Sequence, residues 1–392
     1  MSIFRDLQMN IMIDKVYYQL RKEIDERMPV GMPPGDDDAA VRILASLFTP
    51  EEAGIAIHLS ILPERIKKIH RRLKKNGLRI NEPALREVLD SMVTKGLIMG
   101  DDLESDNVRY SLAQFAVGIY EFQVNRQTPE FAQLAEAYHN EALASEFFHE
   151  KRPVQLRTVP VNAALTGKKN IATYDDIGSI IAGADEPIAV MDCVCKETRD
   201  ILKEPCRLSD VRSNCIMFGD TARFFLERKV PSARRVSRDE LLRMIDTFRK
   251  IGFILQPANN RKPGFLCVCC GCCCNVIRGY KRLPRPSQYF QSNYYAEIVP
   301  SLCNGCGRCV TRCQMDAISL VNEKGAVDLD RCIGCGNCVE FCKKNAIILH
   351  EKEKKKRPPR NSRHLYTKIL FNKKGFVGTV ATVLKLMSGR KV

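Results

Sequence analysis

The 392-residue chain contains no tryptophan, an absence that excludes nothing on its own. Other absences exclude more. No apolar run reaches membrane-spanning length without charges, and the start, Met1-Ser2-Ile3-Phe4-Arg5-Asp6-Leu7, has no apolar stretch of signal-peptide length. The expectation is a cytoplasmic protein. No strand–GxGxxG–helix or P-loop pattern occurs, so nothing points to a nucleotide cofactor. No cysteine precedes Cys193 and none follows Cys342.

Between those limits stand eighteen cysteines. Disulfide frameworks spread their cysteines to staple distant segments, and a reducing cytosol disfavours them. Metal sites gather thiols at short fixed spacings, which is the pattern here. The net charge of +16 is also uneven. Residues 1–125 hold 17 Lys/Arg against 19 Asp/Glu, whereas 351–392 hold 13 against 2. The excess is largely a basic tail. That points to an anionic surface, lipid or acidic protein, rather than to a uniformly basic nucleic-acid binder.

A chain of this length accommodates two or three domains. Composition shifts divide it into 1–125, 126–289, 290–350 and 351–392, an α+β multidomain arrangement. Residues 1–35 read as a helix followed by a Pro/Gly loop. Thr49-Pro50-Glu51-Glu52 has the pattern of a capped helix start, and Asn81 is placed to cap a helix that Gly96 ends. The segments 97–99 and 108–112 read as a hairpin. Helices and hairpin in this order, over about residues 38–115, resemble a winged helix-turn-helix. The helix that would enter a DNA groove carries Glu87 and Asp90 beside Arg86, and the wing tip, 101–106, is acidic. Phosphate repels both. The eight Lys/Arg from Arg65 to Arg79 read as a solvated helix face. A protein-interaction or structural module is expected, not a nucleic-acid reader.

The strongest signal is an internal repeat. Cys303, Cys306, Cys309 and Cys313 follow C-x2-C-x2-C-x3-C, and Cys332, Cys335, Cys338 and Cys342 repeat it 29 positions later. Three cysteines on one tight loop reach three corners of an iron–sulfur cubane, and glycines let the backbone approach inorganic sulfide. The fourth cysteine of each copy serves the other cluster. Cys303, Cys306, Cys309 and Cys342 are thus expected to hold one [4Fe–4S] cluster, and Cys332, Cys335, Cys338 and Cys313 the other. The segment between the copies reads as a hairpin around Glu323-Lys324-Gly325. The whole closely resembles a two-cluster bacterial ferredoxin. In this sequence Gln314 and Lys343 stand where a proline usually follows the fourth cysteine. Lys343 and Lys344 favour the more negative, reduced state of a neighbouring cluster and so raise its potential.

Ten further cysteines lie upstream: Cys193, Cys195, Cys206, Cys215, Cys267, Cys269, Cys270, Cys272, Cys273 and Cys274. Thiolate density of this kind suits soft-metal or iron–sulfur ligation. One or two more [4Fe–4S] clusters are expected, with Cys206 or one of the crowded six left as a buried spare. The pairing of thiols with metals is open at this point. Cys193/Cys195, the stretch 215–219, the block 267–274, Arg282-Leu283-Pro284-Arg285-Pro286 and Gly118-Ile119-Tyr120-Glu121-Phe122-Gln123 together resemble a family of large 4Fe–4S ferredoxin-domain proteins of anaerobic bacteria. The resemblance implies single-electron transfer in anaerobic metabolism without naming a substrate.

Beyond an extended linker at 354–360, Phe376, Val377, Val380, Val383, Leu384 and Met387 fall on one helical face, flanked by Lys373, Lys374, Lys385, Arg390 and Lys391. Such a helix suits either an anionic membrane surface, on its cytoplasmic side, or docking on the protein's own body or a partner subunit. The expected function is an electron carrier serving redox partner proteins. Two other readings stay open: a redox-sensing winged-helix regulator, and an oxidoreductase subunit whose crowded cysteine site is catalytic.

Overall fold

The computed structural model describes residues 15–35, 37–103, 105, 107–143, 146, 153–165, 171–387 and 391–392. The chain forms two compact units, Met1–Glu146 with Lys373–Val392, and Phe147–Asn372.

In the first unit, helices α1 (Lys15–Arg27), α2 (Ala39–Leu47) and α3 (Pro50–Ala56) precede a short strand β1 (Glu64–Arg65). Helices α4 (Ile66–Lys75) and α5 (Glu82–Lys95) follow, then strands β2 (Ile98–Asp101) and β3 (Arg109–Leu112), and helix α6 (Pro129–Tyr138). The strands form an antiparallel sheet in the order β1-β3-β2. Local chemistry sets the helix ends. Thr49 accepts from the Glu52 amide while the Glu52 carboxylate accepts from the Thr49 amide, a complete capping box. Asn81 accepts from the Ala84 amide at 2.8 Å, and Gly96, at φ +76°, ends α5 in the left-handed region.

The basic run on α4 is partly neutralised from within. Glu64 takes a bidentate pair of hydrogen bonds from Arg72, at 2.7 and 2.9 Å, and pairs with Lys68 at 2.8 Å. On α5, Arg86 pairs with Asp90 at 2.8 Å. Of the acidic segment 101–106, Glu104 and Asp106 lie outside the described residues.

Helix α14 (Ser362–Met387) breaks at Gly375, where φ is +68°. Beyond that break Phe376 and Val377 are 72% and 80% exposed, and Leu384 is exposed too. The flanking lysines are largely engaged. Lys373 pairs with Glu146 at 3.3 Å and with Asp25 at 3.7 Å, and Lys391 with Glu23 at 2.9 Å. Arg390 and the side chains of Val383 and Met387 lie outside the described residues.

The second unit is built on a five-stranded antiparallel sheet, order β6-β4-β5-β8-β7, from β4 (Ile188–Met191), β5 (Cys215–Phe218), β6 (Arg234–Arg235), β7 (Ile254–Pro257) and β8 (Phe265–Cys269). Helices α7 (Ile177–Ala182), α8 (Val194–Ile201), α9 (Gly219–Glu227), α10 (Arg238–Ile251) and α11 (Asn275–Lys281) surround it. The repeat adds β9 (Tyr294–Ile298), α12 (Arg308–Arg312), β10 (Ile318–Val321), β11 (Lys324–Val327), α13 (Asn337–Glu340) and β12 (Ile347–Glu351). β9 pairs with β12 and β10 with β11, both antiparallel.

Two features differ from the sequence expectation. The hairpin turn sits at Asn322 and Glu323, with φ of +48° and +59°, so Lys324 and Gly325 belong to β11. Two consecutive positive φ values are what a tight two-residue hairpin turn requires. The expected segments 126–289 and 290–350 also share one apolar core, in which Val159, Leu255 and Leu266 pack with Tyr294, Ala296 and Leu349. The tail linker packs as well. The Lys356 amide donates to Asn293 Oδ1 at 2.8 Å, and Pro359 accepts from the Arg261 amide at 2.9 Å.

Candidate metal centre

The two cysteine loops turn tightly because four glycines take left-handed backbone. Gly305 and Gly307 both have φ of +71°, and Gly334 and Gly336, 29 positions on, have +64° and +78°. A Cβ at Gly305 would collide with the Glu323 carbonyl, and one at Gly334 with the Tyr294 carbonyl. After each fourth cysteine the chain turns again at Asp316 and Asn345, with φ of +52° and +48°. The repeat is therefore a repeat of backbone conformation as well as of residue type.

This geometry gathers the thiols into two groups. Cys303, Cys306, Cys309 and Cys342 line one cavity of about 150 Å³, together with Ile298, Leu320 and Ile347. Cys332, Cys335, Cys338 and Cys313 line a second, tighter one, with Ala296, Met315 and Ile333. Matched amides point at the sulfurs. Ala317 donates to Cys313 Sγ at 3.2 Å, and Ala346 to Cys342 Sγ at 3.3 Å. The Gly325 amide donates to Cys303 Sγ at 3.3 Å. Four thiols per cavity, amide donors to sulfur and glycine-shaped close approach fit a cubane in each.

The two cavities differ electrically. Cys306 is exposed, and Arg308, Lys343 and Lys344 rim the first cavity. Amides of Gly325 and Gly305 hold the Cys303 thiol below its usual range. In the second cavity burial pushes the Cys335 thiol up to about 12, and raises that of Cys338 strongly. A thiol in such surroundings stays protonated until a metal displaces the proton. Asn337, where the first copy has Arg308, faces inward and donates to the carbonyls of Gly252 and Phe253 at 2.8 and 3.2 Å. The second loop is also covered by the strap 155–165, whose Val161 amide donates to Cys335 O at 3.0 Å.

The other ten cysteines lie around one end of the interior strands β5 and β8. Cys215 on β5 lies opposite Cys267 on β8, and Cys269 follows on the same face two residues later. Cys193 and Cys274 occupy the N-cap positions of α8 and α11. The Cys269 thiol neighbours those of Cys267 and Cys274, the free thiols of Cys193 and Cys195 neighbour each other, and the Asn275 amide faces Cys195. Apart from this group, Cys206, Cys270, Cys272 and Cys273 bring their sulfurs within 4.8 Å of one another. Cys206, expected as a candidate spare, is one of that compact four.

Gln314 links the two regions. Its Oε1 accepts from the Gly271 amide at 2.8 Å, inside the 267–274 block, and its carbonyl occupies the space a Cβ at Gly271 would need. Cys313, Cys332 and Cys335 pack against the same apolar cluster as buried Cys269 and Cys274.

Residues 296–343 match the family described as the 4Fe-4S dicluster domain. The matched span contains all eight cysteines of the repeat, so this part of the chain is a ferredoxin-like, iron–sulfur domain. No curated protein and no solved structure matches the chain. No helix among the described residues is long and apolar enough to cross a membrane. Sequence reasoning missed three things: the tether from Gln314, the strap over the second loop, and the place of Cys206. The first had a signal, the replacement of a customary proline. The other two depend on contacts between residues tens to well over a hundred positions apart.

Proposed function

We propose that the chain passes single electrons between redox partner proteins, with the two-cluster domain as its exchange point. The pair of four-thiol cavities carries this reading. Cys303, Cys306, Cys309 and Cys342 would hold one [4Fe–4S] cluster, and Cys332, Cys335, Cys338 and Cys313 the other. When bound, the clusters supply one-electron chemistry at potentials tuned by charge, hydrogen bonds and burial.

The chain's own residues give the site a direction. Exposed Cys306 and the cations Arg308, Lys343 and Lys344 form a face suited to an acidic redox protein. Asn337 and the strap 155–165 keep water from the second loop. Gln314 and the shared apolar cluster then bring that loop against Cys269 and Cys274. In this reading a further cluster at the far end takes its ligands from Cys193, Cys195, Cys215, Cys267, Cys269 and Cys274. The resemblance of these motifs to ferredoxin-domain proteins of anaerobic bacteria supports oxygen-free metabolism as the setting.

The first unit serves here as a winged-helix-like docking module. Its Arg86 is spent on Asp90, and Arg72 and Lys68 on Glu64, which leaves a weak footprint for DNA. The exposed Phe376, Val377 and Leu384 offer a surface for a protein partner, since Lys373 and Lys391 already neutralise acids of their own unit. The test is protein purified without oxygen, assayed for iron and by EPR after reduction. At least eight irons per chain and interacting reduced-cluster signals are expected, and iron-free, zinc-filled ferredoxin loops would overturn the proposal.

A further inference from the structure

The thiols of Cys206, Cys270, Cys272 and Cys273 are spaced for a different occupant. Cys206 Sγ lies 3.7 Å from both Cys270 Sγ and Cys272 Sγ. Cys270 and Cys272 are 3.5 Å apart, and Cys272 and Cys273 3.8 Å. In a tetrahedral site the sulfur–sulfur edge is about 1.63 times the metal–sulfur bond, so bonds of about 2.3 Å give an edge of about 3.8 Å. A cubane sets an iron under each thiolate and spreads its four ligand sulfurs to roughly 6 Å or more. The four measured edges match the single ion and fall far short of the cubane.

The geometry points to a single tetrahedral ion, zinc, held by Cys206, Cys270, Cys272 and Cys273. All four ligand positions are protein thiolates, and three of the four residues are buried, Cys270 and Cys273 to 1% exposure. That is the closed form of a structural site, without a position for water or substrate. The surrounding backbone supports the assignment. The Leu208 amide points at Cys206 sulfur and the Arg207 amide at Cys272 sulfur, donors of the kind that stabilise a ligated thiolate.

The ion's role follows from where the ligands come from. Three belong to the turn between β8 and α11, and Cys206 comes from the loop between α8 and β5, 64 residues earlier. Gly271, inside the same turn, is the residue that Gln314 holds. The ion thus staples a long loop to the turn that receives the second ferredoxin loop, and it leaves Cys193, Cys195, Cys215, Cys267, Cys269 and Cys274 as a separate group. It does not depend on the electron-transfer reading.

The test uses the full chain purified anaerobically and washed with chelator, with iron and zinc counted per chain. One retained zinc is expected beside the cluster iron; a single high-spin FeS4 centre, seen by Mössbauer spectroscopy, would also support the single-ion site, since tetrahedral S4 sets take either metal. Cys206→Ser should lower the retained ion about tenfold while the EPR of the reduced ferredoxin clusters is kept. Cys206→His, which preserves a four-ligand set, should keep the ion. After cobalt loading, its thiolate charge-transfer intensity should fall by about a quarter relative to the unaltered protein. Absence of any such ion in the unaltered protein, or loss of about four irons with a cubane signal in Cys206→Ser, would overturn the assignment. Iron-free ferredoxin loops with the zinc retained would sink the electron-transfer reading alone.

Discussion

Removing the Asp175 carboxylate should destabilise the second unit and unseat the strap over the inner cysteine loop. Arg157, 1% exposed, reaches Asp175 Oδ1 at 3.3 Å, and Asn293 donates to Asp175 Oδ2 at 2.7 Å. Nε and Nη2 of Arg157 find no hydrogen-bond partner among the described residues. Burial brings the Arg157 guanidinium down to about 10 and raises the Asp175 carboxyl above its usual range, so for each group lost water outweighs the partner. For Asp175 the sign is that of a raised carboxyl: its contribution is best below its unfolded pKa and worsens as pH rises through the folded one. At neutral pH the charged pair therefore costs the fold, yet breaking it costs more. Asp175→Ala strands a buried guanidinium, worth about 3–5 kcal/mol. For a unit of this size that is roughly 6–20 °C in the thermal midpoint. The Arg157→Met/Asp175→Leu pair removes both charges, and Asn293 keeps the Lys356 carbonyl as an acceptor at 3.3 Å. It should return to within about 2 kcal/mol of the unaltered protein or exceed it. The assay is anaerobic thermal unfolding followed by iron–sulfur absorbance, with the rate of bleaching in air as a second readout. Arg157 anchors the strap, whose Val161 amide holds Cys335 O, so the single variant should also bleach faster. A midpoint unchanged by Asp175→Ala, or a double variant no better than the single, would refute the reasoning.

Cys342→Ser should remove the same cluster as Cys303→Ser, so each single variant and their combination should lose about four irons, whereas Cys303→Ser with Cys338→Ser should lose about eight; iron assay and EPR decide. Gly334→Ala forces a side chain onto left-handed backbone, against the Tyr294 carbonyl, and should lower iron by up to about four per chain while leaving the first cluster's EPR signal. Lys343→Gln with Lys344→Gln takes two cations from the rim of the first cavity and should lower that cluster's potential by some tens of millivolts, read by EPR-monitored titration. Phe376→Glu with Val377→Glu alters residues 72% and 80% exposed and should move stability by less than about 1 kcal/mol in thermal melts. The same pair should weaken capture of the partner protein in anaerobic pull-downs.

The parts legible in the sequence were those decided by neighbours in the chain. The spacing of Cys303 to Cys313 and its echo at Cys332 to Cys342 is a local pattern, as are the Thr49 capping box and the Asn81 and Gly96 helix ends. The hairpin of β10 and β11 was legible as a pair of strands, but its turn was read at 323–325 instead of 322–323 because Asn322 and Glu323 take positive φ without a glycine. The ten upstream cysteines were legible only as a crowd. Sorting them needs to know that β5 and β8 are neighbours and that the loop holding Cys206 folds back on the turn after β8. Those facts belong to the sheet order, which no local pattern encodes. The expected divide near residue 290 marked a change of motif, whereas packing continues through it.

The two halves of the repeat share a backbone and have been given opposite surroundings. Arg308 in the first copy corresponds to Asn337 in the second, where an inward amide binds the end of α10. Gln314 and Lys343 occupy the same position after the fourth cysteine, and one holds Gly271 while the other rims a cavity with an exposed thiol. A free-standing symmetric carrier has no need of such a division. Two matched loops, one facing charged solvent and the other packed toward a second thiol group, are what the proposed passage of electrons through the body would require. Exchanging the loop identities, with Arg308→Asn and Asn337→Arg, tests this directly. Asn337→Arg buries a cation against the carbonyls of Gly252 and Phe253, in a pocket shaped for an amide, and should cost the second cluster its occupancy. Arg308→Asn, on the open side, should leave iron content unchanged and only slow exchange with an acidic partner at low salt, where screening is weakest. Equal losses of iron from the two variants would mean that the surroundings of the loops are interchangeable and that no direction is built into the domain.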